Sequence, residues 1–295
     1  MRARSLVLVL ALLSACREER SSQSATSRDV VAEPPPPTHV AEILPAPRDV
    51  TFRTSDGVTI GATLARAVSP DAPAVILVHQ VGSTRAEWAP LLERLRVQRA
   101  FTTLAIDLRG HGASTEGPAG PLDWRTFDDA QWASTRLDVL AAVAFLSASD
   151  SGVDPAALAA IGSSIGSSAV VAAAADEPRL TALVTLSPGR AYHGFEAITP
   201  ALALADRAVF AVVAHDETDS VDTAETYGRI THVPAMVVDG SAHGVVLLTN
   251  GASVLDRVED FLRQQLAWAR VVDRPAGPRI AAPAATSTGT PTSTR

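Results

Sequence analysis

The chain has 295 residues, 46% hydrophobic, 4% aromatic and 19% charged, with one cysteine and a formal net charge of −7. That apolar fraction excludes disorder throughout, and a lone cysteine excludes both an intrachain disulfide framework and a cysteine-based zinc site. The negative charge argues against a nucleic-acid binder, which needs a basic surface to neutralise phosphates.

Residues 1–15 read as a signal peptide. Arg2 and Arg4 form a positive start, Leu6 to Leu13 an apolar run too short to span a bilayer, and Ser14 and Ala15 a small-residue cleavage region. Leu13-Ser14-Ala15-Cys16 resembles the bacterial lipobox, which implies diacylation of Cys16 and a palmitate-type membrane anchor. The alternative is an ordinary cleaved signal and a secreted protein. Arg17 stands where inner-membrane-retained lipoproteins often carry Asp. A cell-envelope location follows, on the outer membrane or the periplasmic face. Residues 16–47 are rich in Ser, Glu and Pro, with Glu33-Pro34-Pro35-Pro36-Pro37, and read as a disordered tether. The 273–295 tail is Pro/Ala/Thr-rich and reads as disordered too. One domain, 48–272, remains.

Within that domain, residues 50–66 suggest an antiparallel hairpin turning at Asp56-Gly57. Short apolar, β-branched runs predict strands at 75–78, 102–106, 158–161, 183–186, 209–214 and 235–238. Helical spacing predicts helices over 86–99, 135–146, 167–175 and 254–269. Strands alternating with helices imply an α/β fold, a mostly parallel doubly wound sheet covered on both faces. Ala156–Ala175 carries no charge, but its serines, glycines and strand-like start argue against a membrane span.

Gly162-Ser163-Ser164-Ile165-Gly166 is a G-x-S-x-G between a predicted strand and a predicted helix. A sharp turn there lifts one hydroxyl above the sheet, with glycines where side chains would clash. Ser164 is the nucleophile candidate, and the Ile165 N–H at the helix start can face a developing oxyanion. Ser163 and Ser167 read as turn and helix-start residues. All 25 cations are Arg, so lysine chemistry is excluded, and a hydroxyl needs a base and an orienting carboxylate. His215-Asp216-Glu217-Thr218-Asp219 follows one predicted strand and Asp239-Gly240-Ser241-Ala242-His243-Gly244 the next. Asp216, Glu217, Asp219 and Asp222 compete for the acid.

These residues, with Val75-Ile76-Leu77-Val78-His79-Gln80-Val81-Gly82 and Asp107-Leu108-Arg109-Gly110-His111-Gly112-Ala113-Ser114, resemble the α/β-hydrolase family, near its small dienelactone-hydrolase-like and esterase members. The resemblance covers nearly all of 50–270. It implies the catalytic set Ser164, Asp219 and His243, with Asp216 as the alternative acid. It also implies an oxyanion hole from Ile165 and Val81, with Gln80 second. Gln80 stands where the family usually has Gly. His243, in Ser-Ala-His-Gly, is favoured over His39, His79, His111, His193, His215 and His232. His79 and His111 resemble loop braces, and Asp107 and Arg109 a turn-stabilising ion pair.

Pro188 to Ala208 leaves room for one helix and no sizeable lid domain, so the site is expected to be open. Trp124, Phe127 and Trp132 are expected either to wall an apolar pocket or to pack in the core. Tyr192 and His193 are read as pocket residues or as exposed loop. The resulting expectation is a carboxylesterase-like serine hydrolase working through an acyl-enzyme on a small-molecule ester, needing no metal or cofactor. Alternatives are a serine peptidase or amidase of the same fold, a non-catalytic binding lipoprotein and, more weakly, a lipase.

Overall fold

The computed structural model describes residues 44–99, 101–148, 151–249 and 252–271. The expected signal peptide, Cys16, the tether up to residue 43 and the 273–295 tail lie outside the described residues.

The chain begins with the hairpin β1 (Arg48–Arg53) and β2 (Thr59–Ala65), then β3 (Ala72–Val78), α1 (Ala89–Arg99) and β4 (Thr102–Ile106). A small hairpin, β5 (Glu116–Gly117) and β6 (Gly120–Pro121), precedes α2 (Asp129–Ala133), α3 (Arg136–Leu146), β7 (Val153–Ser163) and α4 (Ile165–Asp176). Next come β8 (Leu180–Leu186), the hairpin β9 (Ala191–Tyr192) and β10 (Phe195–Glu196), α5 (Ile198–Leu202) and β11 (Ala208–Ala214). The chain continues through α6 (Thr218–Thr231), β12 (Met236–Val238), α7 (Val246–Thr249) and α8 (Ala252–Val271). The predicted strands all form, several of them longer than read. The uncharged 156–175 stretch is a strand followed by a helix, and no described helix is long and apolar enough to cross a membrane.

The main sheet runs β12-β11-β8-β7-β3-β4-β2-β5-β6, with β1 paired to β2. Strands β12 through β4 are parallel, and β2 joins β4 antiparallel. Continuous apolar runs in β3, β7 and β8 follow from burial on both faces. In β3, Ala74, Ile76 and Val78 face one core with Val139 and Val143 of α3 and Val170 of α4. Val75 and Leu77 face the other core with Leu91 and Leu95 of α1 and Leu262 and Leu266 of α8. The alternation of side chains along a strand divides one apolar run between two layers.

Parallel strands end together, so the segments beginning at His79, Asp107, Ser164, Ser187, His215 and Asp239 share one edge. Open α/β sheets bind their ligands at that edge. The 188–208 segment holds only the β9–β10 hairpin and the short α5, so no large lid is present among the described residues.

One turn contact differs from expectation. Arg109 does not pair with Asp107. Its Nε donates to Asp138 Oδ1 (2.8 Å), and its Nη atoms donate to Asp56 (2.7 and 3.1 Å). Asp107 instead pairs with Arg85 and accepts from the N–H groups of Arg85 (2.7 Å) and Ala113 (2.8 Å). Ion pairing follows the reach of the side chains across loops and not their nearness in sequence. Gly112, at φ +49°, passes so close to Asp107 that an added Cβ would lie 2.2 Å from its Oδ2. Asp138 is fully buried and also accepts the Arg109 N–H (2.9 Å). Asp138→Ala would leave a buried guanidinium with only the half-exposed Asp56. The expected cost is about 3 kcal/mol in urea unfolding; a loss under about 1 kcal/mol contradicts this pairing.

Candidate active site

Strand β7 ends at Ser163 and α4 starts at Ile165, which leaves one residue to reverse the chain. Ser164 does so at φ 53°, ψ −115°, in the left-handed region that side chains disfavour. Its N–H is held by Leu186 O at the end of β8 (2.9 Å). The flanking glycines are explained by contact: a Cβ at Gly162 would lie 2.4 Å from Gly166 O. One at Gly166 would lie 2.4 Å from Val78 O and 2.8 Å from His79 O. The N-terminus of α4 thus sits against the end of β3, beside Val81. Ser167 serves the same turn, donating to Gly162 O (2.8 Å).

His243 approaches from the loop after β12. Val245 N–H, two residues on, donates to Ser163 Oγ (3.1 Å), which anchors the histidine loop beside the serine turn. Among the described residues no hydrogen bond joins Ser164 Oγ to His243, and such bonds often tighten only when substrate is bound. His243 Nδ1 bonds Glu217 Oε1, which leaves Nε2 as the ring's proton acceptor.

The carboxylate on His243 is therefore Glu217, not Asp219 or Asp216. After β11 the chain turns back at once, with Glu217 N–H donating to Ala214 O (3.1 Å), and the Glu217 side chain lies under the histidine loop. Asp219 is exposed in the first turn of α6, and Asp216 is exposed and bonded to His215 Nδ1 (3.2 Å). The resemblance pointed to Asp219; the carboxylate that reaches His243 lies two positions earlier and has one more methylene of reach. Ser187, also missed, donates to Glu217 Oε2 (2.7 Å) and accepts from Gly244 N–H (3.0 Å).

Of the expected oxyanion donors, Gln80 N–H is already taken by Glu87 Oε1 (3.2 Å). Burial raises the pKa of the Glu87 carboxyl. Val81 N–H has no partner among the described residues and remains free to donate. Two histidines hold this loop. Buried His79 accepts Leu108 N–H at Nε2 (2.9 Å), so its Nδ1–H donates to Gln80 O (2.7 Å). His111 accepts Gly82 N–H at Nε2 (3.3 Å), so its Nδ1–H donates to Arg109 O (3.1 Å). Each works only as the neutral ring. Burial pushes His79 down to about 4 and lowers His111 as well.

The aromatic residues divide. Trp132 is buried in the core, with Phe127 packed against it at 5.5 Å between ring centroids. Trp124 stacks on His111 (5.1 Å, 5° between planes) and lines a cleft of about 410 Å³ with Gly82, Ser83 and Leu122. His193 stacks on Trp132 (5.5 Å), and Tyr192 meets Trp132 edge-on (6.0 Å). These contacts tie the β9–β10 hairpin to α2, which carries Trp132.

A protein-family model described as "Alpha/beta hydrolase family" matches residues 75–291. No curated protein matches the sequence. Among solved structures, an esterase of Pyrococcus furiosus is similar at TM-score 0.59 and 20% identity, covering 75% of this chain and 91% of that one. A thermostable carboxylesterase cloned from a metagenomic library is similar at TM-score 0.55 and 16% identity, covering 78% and 91%. An esterase of the archaeon Pyrobaculum calidifontis gives TM-score 0.55 and 16% identity, covering 76% and 85%. At such identities these likenesses speak to the fold.

The His79 shift has a definite pH signature. Its folded value lies below the ordinary 6.5, so the unfolded chain takes up the proton first as pH falls. Its contribution to stability is complete above about pH 6.5 and is lost toward pH 4. Relative to His79→Gln, which does not titrate there, the wild type is expected to lose about 2 kcal/mol of unfolding free energy between pH 7 and 4.5. A difference constant over that range contradicts the assignment.

Proposed function

Because the chain belongs to the alpha/beta hydrolase family, we propose that it is a serine hydrolase acting on small-molecule carboxylic esters. Ser164 Oγ attacks the acyl carbonyl, and His243 Nε2 takes its proton and passes it to the leaving alcohol. Water then cleaves the acyl-enzyme with the same histidine as base. Glu217 holds the imidazole by Nδ1 and stabilises the imidazolium. The amides of Ile165 and Val81 take the negative charge of the tetrahedral intermediate.

The observation that carries this reading is the Glu217–His243 hydrogen bond, in a loop bonded to the residue next to a strained, half-buried serine. The short segment between β8 and β11 favours an open site and soluble esters over lipid aggregates. The dienelactone-hydrolase-like motifs around Ser164, Asp107 and His79 support placement in that branch of the family. The Leu13–Cys16 motif supports a lipid anchor at Cys16 in the cell envelope. Loss of radiolabelled palmitate in Cys16→Ser would bear that out, and an unlabelled wild type would refute it.

Ser164→Ala is expected to abolish p-nitrophenyl acetate hydrolysis while keeping the unfolding midpoint. Glu217→Gln should lower kcat by roughly a thousandfold or more, the scale seen when the orienting acid of such a triad is amidated. Asp219→Asn should change it less than about twofold. Turnover that survives in Glu217→Gln and collapses in Asp219→Asn would reverse the assignment.

A further inference from the structure

We propose that Ser187 is a positioning residue that locks the acid loop to the histidine loop, so that Glu217 and His243 move as one unit. The inference rests on the serine-hydrolase reading above.

Ser187 follows β8, a strand that supplies neither the proposed nucleophile, base nor acid. Its side chain is buried and its backbone is left-handed, at φ 50°, a conformation that costs a non-glycine residue free energy. Its N–H is tied to Val212 O of β11 (2.9 Å), which fixes the residue between two strands. From there the hydroxyl donates to Glu217 Oε2 (2.7 Å), the oxygen not used by His243. The same hydroxyl accepts from Gly244 N–H (3.0 Å), the residue after His243. One oxygen atom therefore bridges the two loops whose side chains must stay in register. Gly244 cannot retreat freely: a Cβ there would lie 2.4 Å from Ser163 Oγ and 2.6 Å from Gln80 Oε1. Glu217 Oε2 has a second donor, Ala214 N–H, but at 3.3 Å the contact is weaker. Without the Ser187 hydroxyl the carboxylate can rotate, and Gly244 N–H is left without its acceptor.

A stabilising role for the backbone and a positioning role for the hydroxyl predict different results. Ser187→Gly relieves the left-handed strain and removes the hydroxyl; Ser187→Ala removes the hydroxyl and keeps the strain. Using the full chain and p-nitrophenyl acetate, both variants are expected to lower kcat roughly ten- to hundredfold, the worth of a hydrogen bond to a charged group. KM should stay within about twofold. The Gly variant should keep the wild-type unfolding midpoint. The double variant Ser187→Gly/Glu217→Gln should lose less than the product of the two single losses, because part of the hydroxyl's effect passes through that carboxylate. Wild-type kcat in Ser187→Gly, or losses that multiply in the double variant, overturns the proposal. If Glu217→Gln itself leaves kcat unchanged, the triad reading fails, and this proposal falls with it for a separately visible reason.

Discussion

A side chain at position 166 would collide with the carbonyl oxygens of Val78 and His79. That close approach of α4 to β3 is the constraint on which the functional edge depends. It forces the chain to reverse within one residue, which puts Ser164 in a left-handed conformation. It also brings the helix start, with its unpaired N–H groups and positive end, beside the loop that carries Val81. Hydroxyl, helix dipole and loop amide converge because two backbones touch.

The rest of the edge keeps that geometry still. His79 and His111 bind the 80–82 loop to the 107–114 loop through nitrogens that must stay unprotonated. Asp107 gathers the 107–114 turn around its carboxylate, and Ser114 closes it by donating to Asp107 O (2.7 Å) and accepting from Gly61 N–H (2.9 Å). On the far side, Asp216 N–H donates to Gly240 O (3.1 Å), so the acid and histidine loops are also stitched through the backbone. Most of the buried polar side chains that join these loops are paired, while Gln80 Oε1 and Glu87 Oε2 beside the 80–82 loop have no hydrogen-bond partner among the described residues.

The sheet was legible because burial on both faces leaves apolar runs that need no tertiary information to recognise. The serine turn and His243 were legible because glycine spacing and strand ends mark them. The carboxylate that bonds His243 was not, since Glu217 and Asp219 both follow β11 within five residues and only the turn at Ala214 decides between them. Arg109 misled in the same way: its neighbour in sequence was Asp107, but its guanidinium crosses to Asp138 on α3 and Asp56 in the β1–β2 turn. Ser187 left a single trace, a serine before Pro188-Gly189 at a strand end. A hydrogen-bonding role between two distant loops has no sequence period to show it.

The proposed chemistry makes Ser164 a nucleophile activated by His243. Its most direct test is exposure of the full-length protein to a fluorophosphonate followed by peptide mapping. One equivalent of label on the Ser164 side chain itself, located by fragmentation of its peptide and absent after acid inactivation of the protein, is the expected outcome. A folded protein that takes up no label, or carries it on Ser163 or Ser167 instead, would contradict it.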